Sequence, residues 1–195
     1  DEDSLTGFDD TLSSTNGIKY LSNFSKGTLA SLIKNCKRPL LLLGNGIKLS
    51  GARDKARELS RLYKLPVVTS LLGKGAFPED DRLSIGMIGS YGNRCANLAI
   101  ANADLVIAIG ARLDTRQTGT NLTSFVRGGS IVRLDIDETE IVNHRLEAVY
   151  GAVGDARSFI DELISMPWST AYDDWILYLD GLKNQYGQNA EILRN

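Results

Sequence analysis

The sequence has few of the residues that build disulfide frameworks, zinc sites or membrane spans. Among its 195 residues there are two cysteines, Cys36 and Cys95, and one histidine, His144. Two cysteines cannot make a disulfide framework, and one histidine excludes a histidine-rich zinc site and disfavours a Ser/His/Asp triad. The apolar runs are far shorter than the ~18 residues that a bilayer span requires. Small disulfide-bonded, histidine-zinc and membrane-spanning proteins are therefore excluded.

Positively and negatively charged residues are also nearly balanced in number. Lys and Arg number 22 and Asp and Glu number 24, for a net charge of -2. No basic surplus is available to neutralise a nucleic-acid backbone or to hold an anionic membrane, so we expect neither as a partner. The first ten residues are acidic, where a secretory signal would be basic and then apolar. We therefore expect a cytoplasmic protein. Because the chain begins at Asp1, we also expect a processed protein or a piece of a longer one.

Short apolar runs alternate with helical patterns across residues 26–165. Predicted strands cover residues 40–43, 66–70, 104–112, 130–137 and 148–153, and predicted helices cover residues 29–36, 51–64, 93–103, 137–145 and 155–164. The strands are continuously apolar, as in a parallel sheet buried on both faces. The pattern predicts a doubly wound α/β domain, which is a three-layer fold.

The segments on either side of this domain differ from it in composition and in hydrophobic pattern. Residues 1–25 are polar and show no sustained period, so we interpret them as a linker or an arm lying on a neighbour. Residues 166–195 carry several aromatic side chains in a helical pattern and are interpreted as a connector helix that need not share the core.

The first two predicted strands end in different ways. Gly44, Asn45 and Gly46 follow the first strand, and such glycines can let backbone N–H groups approach a phosphate. The spacing is neither GxGxxG nor a P-loop, so tight turns alone explain it about as well. The second strand ends in Thr69 and Ser70 without the acid that binds ribose in NAD dehydrogenases, which disfavours that class.

Charged residues follow the other strands. Arg112 and Arg116 flank Asp114 in one loop, where they could bind a phosphate or a flat ring or could simply be solvated. Asp135 and Asp137 end the next strand, so Asp135 could accept ribose hydroxyls while Asp137 caps the following helix. The strand tips together predict a nucleotide-shaped ligand. No residue is predicted to be catalytic, and Cys95 is interpreted as a core residue.

These segments occur in a familiar order. GNGI, TSLLGKGAFPEDD, RLSIGMIGSYGN, ADLVIAIGARLDTRQTG, VRLDIDETEI and GDA follow one another between residues 44 and 156. Over about residues 26–165 the chain resembles the central domain of thiamine-diphosphate enzymes of the acetolactate synthase type. The resemblance implies a six-stranded parallel sheet, with one further strand near residues 85–88. It also implies a Rossmann-like domain that binds FAD, not used as a redox agent, or ADP, or nothing.

The resemblance also implies which residues would line the cofactor site. By position these are Gly44, Asn45 and Gly46 for the diphosphate; Ser70, Leu71, Gly89, Ser90 and Tyr91 for the flavin region; Gly110, Ala111, Arg112 and Asp114 for the phosphates and ribityl chain; and Asp135, Ile136, Asp155 and Ala156 for the adenosine. The chain departs from the flavin-binding pattern at two positions. Tyr91 stands where those members have His, and Lys74 stands where an apolar residue is usual, which bears on the flavin half of the site.

The catalytic elements of the family are not in this sequence. The resemblance places thiamine diphosphate and Mg²⁺ on a GDG motif in a C-terminal domain and the activating glutamate in an N-terminal domain, whereas here residues 154–156 read GDA. We therefore expect a central domain without catalytic activity of its own, cut from a longer homo-oligomeric transferase or lyase. The alternatives are a free-standing nucleotide- or flavin-binding module of the same fold and a sirtuin-like NAD enzyme. The last is disfavoured because one histidine and two cysteines cannot supply its catalytic histidine and its zinc-binding cysteine quartet.

Overall fold

The structure is a computed structural model, and it describes residues 17–21, 24–143, 145–147, 149–169 and 171–186. His144 lies outside these ranges. The strands are β1 (Lys19–Tyr20), β2 (Pro39–Leu43), β3 (Val67–Thr69), β4 (Ser84–Met87), β5 (Leu105–Ile109), β6 (Ser130–Asp135) and β7 (Val149–Val153). The helices are α1 (Lys26–Asn35), α2 (Gly46–Leu49), α3 (Arg53–Tyr63), α4 (Arg94–Asn102), α5 (Thr115–Thr118), α6 (Glu138–Val142), α7 (Ala156–Ile164) and α8 (Asp173–Tyr186).

The strands form one sheet in the order β1-β7-β6-β5-β2-β3-β4. All neighbouring pairs from β7 to β4 are parallel, and β1 pairs with β7 in the antiparallel direction. The chain winds from β2 outward to β4, returns to β5 beside β2, and winds the other way to β7. This confirms the doubly wound α/β fold with six parallel strands, including the strand expected near residues 85–88. It also places a topological switch point between β2 and β5, where such folds bind ligands.

The central strands of the sheet are fully buried. Every residue of β2 and of β5 is buried, and Leu41 pairs in register with Val67 on one side and Ile107 on the other. Burying a side chain of this size contributes about 1.5–3 kcal/mol, which is why these runs are apolar at every position. On α3, Ala56 and Leu59 are buried against the sheet core, whereas Leu62 is 53% exposed.

A seventh strand comes from the segment interpreted as a linker. Ile18 and Tyr20 are buried in the main core, and the Tyr20 hydroxyl donates a hydrogen bond to the buried carboxylate of Glu162 on α7. Burial, together with this carboxylate, raises the pKa of Tyr20. Lys19 pairs with Glu138 at 2.8 Å. At least residues 17–21 therefore complete the sheet edge rather than only joining it to something else.

The aromatic helix α8 also packs on this core. Trp175 is buried and its indole N–H donates to the Pro39 carbonyl at 2.9 Å, which ties the helix to the start of β2. Tyr172, just before α8, is buried with its hydroxyl 3.5 Å from the Cys36 sulfur. Burial raises the pKa of the Cys36 thiol to about 11. Cys95 is buried in α4, as predicted for a core residue. None of the described helices is long and apolar enough to cross a membrane.

Candidate nucleotide site

A broad cleft runs along the carboxyl ends of the six parallel strands. Its volume is about 880 Å³, within the range of about 300–1,000 Å³ that is usual for small-molecule and cofactor sites. It is lined by residues at the tips of β2 through β7. With strands about 4.8 Å apart, six tips span roughly 24 Å, so the cleft is long as well as large.

Fourteen of the sixteen residues predicted for the site line this cleft. They are Asn45, Gly46, Ser70, Leu71, Ser90, Tyr91, Gly110, Ala111, Arg112, Asp114, Asp135, Ile136, Asp155 and Ala156. The two that do not line it are Gly44 and Gly89. Residues from opposite ends of the sequence pattern are thus brought to one edge of the sheet.

Gly44 lies beneath the cleft, where the turn after β2 crosses the turn after β5. The Gly44 N–H donates to the Ile109 carbonyl at 2.9 Å, and the Gly46 N–H donates to the Gly110 carbonyl at 3.2 Å. A Cβ on Gly44 would lie 1.9 Å from the Gly110 oxygen. The close crossing of the two turns accounts for these glycines, with no need for a bound phosphate to explain them.

Gly89 is also turned away from the cleft. Its N–H donates to the Asn97 side-chain oxygen at 2.8 Å, and a Cβ there would lie 2.6 Å from the Arg116 carbonyl oxygen. The same carbonyl accepts the Ser90 N–H at 2.8 Å. Gly89 therefore lets the turn after β4 approach the loop after β5, and Ser90 and Tyr91 reach the cleft from that turn.

Two arginines line the middle of the cleft. Arg112 and Arg116 both line it, and the Arg112 Nε lies 3.1 Å from a carboxylate oxygen of Glu140 on α6. Under them, the buried Arg133 donates to the Arg112 carbonyl at 2.8 Å. Burial lowers the pKa of Arg133, and the charges of Asp135 and Glu140 oppose this effect. The centre of the cleft thus carries positive charge.

Carboxylates lie in the loop of the two arginines and at the tips of β6 and β7, and each accepts a backbone hydrogen bond. Asp114 caps α5 through the Gln117 N–H at 3.1 Å, and Asp155 caps α7 through the Ser158 N–H at 3.0 Å. Asp135 accepts the N–H of Asp137 at 3.2 Å. A carboxylate has about four acceptor positions, so these bonds leave capacity for the hydroxyls of a sugar.

The cap proposed for Asp137 is confirmed. Its carboxylate accepts both the N–H and the hydroxyl of Thr139, at 2.9 Å and 2.6 Å. The hydroxyl bond, followed by the backbone bond, lowers the pKa of Asp137. Asp137 does not line the cleft, whereas Asp135 does.

The end of the cleft over β3 and β4 is apolar. Leu71, Leu72 and Tyr91 are 51%, 70% and 76% exposed there, beside Met87 and Ile88. At the opposite end Ile136 is 77% exposed next to Asp135. Lys74, where the family usually has an apolar residue, lies outside the lining and its ammonium is 3.3 Å from Glu79.

Nine lining residues are not among those sixteen. They are Leu49, Ser50, Leu72, Met87, Ile88, Arg116, Gln117, Leu134 and Gly154. The charged loop had already identified Arg116, together with Arg112, as a possible phosphate ligand. Leu49 and Ser50 had no signal in the sequence, because α2 is a single turn that no apolar period reveals. The Oε1 of Gln117 is buried and has no hydrogen-bond donor among the described residues.

Within the ranges given above, no group of three or more His, Cys, Asp or Glu side chains could hold a metal ion. The cleft does carry arginines, carboxylates and apolar side chains, which are the groups that a nucleotide uses.

Comparison with known proteins shows the family to which the chain belongs. Residues 27–163 match the family described as "Thiamine pyrophosphate enzyme, central domain". An acetolactate synthase of Mycobacterium bovis is 39% identical over 163 residues, covering 80% of this chain and 26% of the relative. A probable acetolactate synthase large subunit of Methanocaldococcus jannaschii is 40% identical over 136 residues, covering 70% and 23%.

A third relative is more similar over a shorter stretch. An acetolactate synthase large subunit of Parasynechococcus marenigrum is 46% identical over 125 residues, covering 63% of this chain and 20% of the relative. The chain spans about a quarter of the length of the curated relatives that it matches. It belongs to the family of central domains of thiamine pyrophosphate enzymes, among which its relatives are acetolactate synthases.

Proposed function

We propose that this chain is the nucleotide-binding central domain of a thiamine-diphosphate-dependent enzyme of the acetolactate synthase type. Its role is structural or regulatory, and it carries no catalytic centre of its own. The observation that supports this most directly is the order of chemistry along the cleft: carboxylates over β6 and β7, guanidinium groups over β5, and apolar side chains over β3 and β4. Adenosine, diphosphate and a flat apolar ring follow one another in that order in FAD.

Each part of the cleft has a role in this proposal. Asp135 accepts hydroxyls of the adenosine ribose, and Ile136 lies against the adenine. Arg112 binds the diphosphate through its planar fork of donors. Leu71 and Tyr91 cover the ring at the far end. The same cleft would hold ADP over β5 to β7 and leave the apolar end open.

The chemistry of the whole enzyme lies in other parts of it. Thiamine diphosphate supplies a stabilised carbon nucleophile when it is bound with Mg²⁺, and we propose that N- and C-terminal domains of the same polypeptide hold it. The full-length protein would be a cytoplasmic homo-oligomer without nucleic-acid or membrane partners. The relatives, about four times as long as the matched segment, support this reading. A free-standing nucleotide- or flavin-binding module of the same fold remains the alternative, and the reading frame on either side of the gene segment distinguishes the two.

The binding proposal is tested by thermal unfolding of the 195-residue chain with ADP or FAD. A ligand at one hundred times its Kd adds about 2.7 kcal/mol to the stability of the folded state. For a protein of this size that raises Tm by roughly 5–10 °C. Stabilisation by FAD well beyond that by ADP at the same free concentration would support occupation of the apolar end.

Arg112→Ala should abolish the shift, because it removes the phosphate ligand. The matched control is Arg53→Ala, which removes an exposed guanidinium at the start of α3, outside the cleft lining. The control should keep the full shift. If ADP and FAD leave Tm unchanged at millimolar concentration, or if Arg112→Ala keeps the shift, the proposed site is wrong.

A further inference from the structure

Arg112 is held in place before any ligand arrives. Its Nε lies 3.1 Å from the Oε1 of Glu140, a residue of α6 that does not line the cleft. The Glu140 side chain is only 28% exposed, whereas that of Arg112 is 74% exposed. An ion pair at Nε engages one edge of the guanidinium fork and leaves the terminal nitrogens available to a phosphate.

The backbone of the same residue is fixed from below. Arg133 lies on β6 and is 2% exposed, and its Nη2 donates to the Arg112 carbonyl at 2.8 Å and approaches the Ala111 carbonyl at 3.5 Å. A buried guanidinium needs compensating negative charge. The carboxylates that act on Arg133 through space are Asp135 and Glu140. Glu140 therefore pairs with Arg112 and adds negative charge that acts on Arg133 through space.

A neighbour on the same short helix shows what an ordinary surface pair looks like here. Glu138 bonds Lys19 at 2.8 Å, and its side chain is 49% exposed. Neither Glu138 nor Lys19 lines the cleft. Glu138 and Glu140 thus share a helix and a charge but act on different surfaces, so the first is a matched control for the second.

We propose that Glu140 is a positioning residue, which together with Arg133 fixes Arg112 for the phosphates of the ligand. This rests on the proposed nucleotide site. A free arginine side chain loses rotamer freedom when it binds, and a pair formed in advance removes part of that cost. The negative charge of Glu140 opposes a phosphate, so the two effects have opposite signs. The partly buried pair and the support from Arg133 make the ordering effect the larger one.

The first measurement needs no ligand. In the free 195-residue chain, the Nε–H of Arg112 should give a resolved NMR signal that exchanges slowly with water. Glu140→Ala should lose that protection and Glu138→Ala should keep it. Equal exchange in the wild type and in Glu140→Ala would overturn the positioning role, whatever the chain binds.

The second measurement is the Kd for ADP by titration calorimetry. Glu140→Ala should raise it about three- to fivefold, the size expected for a partly exposed ion pair. Glu140→Gln keeps an acceptor for the Nε–H and should restore most of the affinity, and Glu138→Ala should bind as the wild type does. Without ligand, the melting temperatures of the Glu140 variants should differ from that of the wild type by no more than that of Glu138→Ala does.

Three results would overturn the inference while the nucleotide site stands. They are equal or tighter ADP binding by Glu140→Ala, no recovery by Glu140→Gln, and equal weakening by Glu138→Ala, which would indicate only a loosened helix. If the wild-type chain keeps the slow Arg112 exchange but does not bind ADP or FAD, the nucleotide site itself is wrong, and the inference about its phosphates falls with it.

Discussion

The crossing of the turns after β2 and β5 gives the sharpest test of how the cleft floor is built. Gly110 has φ +60, and a Cβ on it would lie 2.6 Å from the Gly46 Cα and 3.0 Å from the Gly46 nitrogen. Both neighbours are backbone atoms and cannot rotate away. Gly110→Ala therefore imposes a left-handed conformation on an alanine and forces two turns apart.

The two costs can be separated with a matched glycine. Gly128 has φ +70, and no atom lies within 4 Å of the position that a Cβ would occupy, so Gly128→Ala carries the backbone cost alone. That cost is about 1–2 kcal/mol for an L residue in the left-handed region. Overpacking adds about 1–3 kcal/mol, so Gly110→Ala should lose about 2–5 kcal/mol in total.

Urea unfolding of both variants without ligand measures the difference directly. The unfolding midpoint should fall clearly further for Gly110→Ala, with little change in the slope of free energy against urea, because the native state is strained rather than expanded. Equal losses in the two variants would refute the packing explanation. Unchanged stability with lost ADP binding would instead assign Gly110 to the ligand.

Two further predictions concern the caps of helices near the cleft. Asp155→Ala should lower the stability of the free chain by about 1 kcal/mol, since it removes the acceptor of the Ser158 N–H at the start of α7. Asp155→Asn keeps an acceptor and should keep that stability. If thermal unfolding shows the same loss of stability in both variants, Asp155 does not act as a cap. Thr139→Val should raise the pKa of Asp137, because the Thr139 hydroxyl is the main cause of its lowering. The stabilisation from that lowered pKa is present at neutral pH and is lost as the pH falls through the folded-state pKa. Thr139→Ser keeps the hydroxyl and is the control. If a carboxyl NMR titration gives the same pKa of Asp137 in Thr139→Val and Thr139→Ser, the hydroxyl is not the cause of the lowering.

The central strands could be predicted from sequence because burial on both faces leaves a continuous apolar run. The prediction for residues 40–43 misses only the first residue of β2, and the prediction for residues 104–112 contains β5 and continues into the following loop. β4 came only from the family resemblance. It is an edge strand with one buried residue, and Gly86 at φ +117 interrupts it, so no period is visible.

Where the flanking elements pack could not be predicted, because their contacts with the domain are entirely tertiary. β1 has only two residues. Its pairing with β7 can be seen only in the structure, where Tyr20 is in register with Ala152. In α8 the helical spacing of Trp175 and Leu179 predicts an apolar face, but nothing local says which surface that face covers. The hydrogen bond from Trp175 to the Pro39 carbonyl joins positions 136 residues apart.

The site could be predicted only as a set of strand tips. Parallel strands bring their carboxyl ends to one edge, so Arg112 and Asp135 lie on one cleft although they belong to different loops. The pattern could not separate residues on the cleft from residues beneath it. Gly44 stands next to Asn45 in sequence, but the first meets the Gly110 backbone and the second faces the cleft.

The acids and glycines of the cleft have structural roles that do not require a ligand. Asp114 and Asp155 cap helices, and Gly44 permits two turns to cross. The exposed apolar residues have no such role: Ile136 and Tyr91 are each about three-quarters exposed at opposite ends of the same cleft. Single exposed apolar residues are common on proteins, but apolar groups gathered at both ends of one cleft, with guanidinium groups between them, are typical of a binding site. The exposed apolar ends therefore argue for a ligand more strongly than the glycine motif that first suggested one.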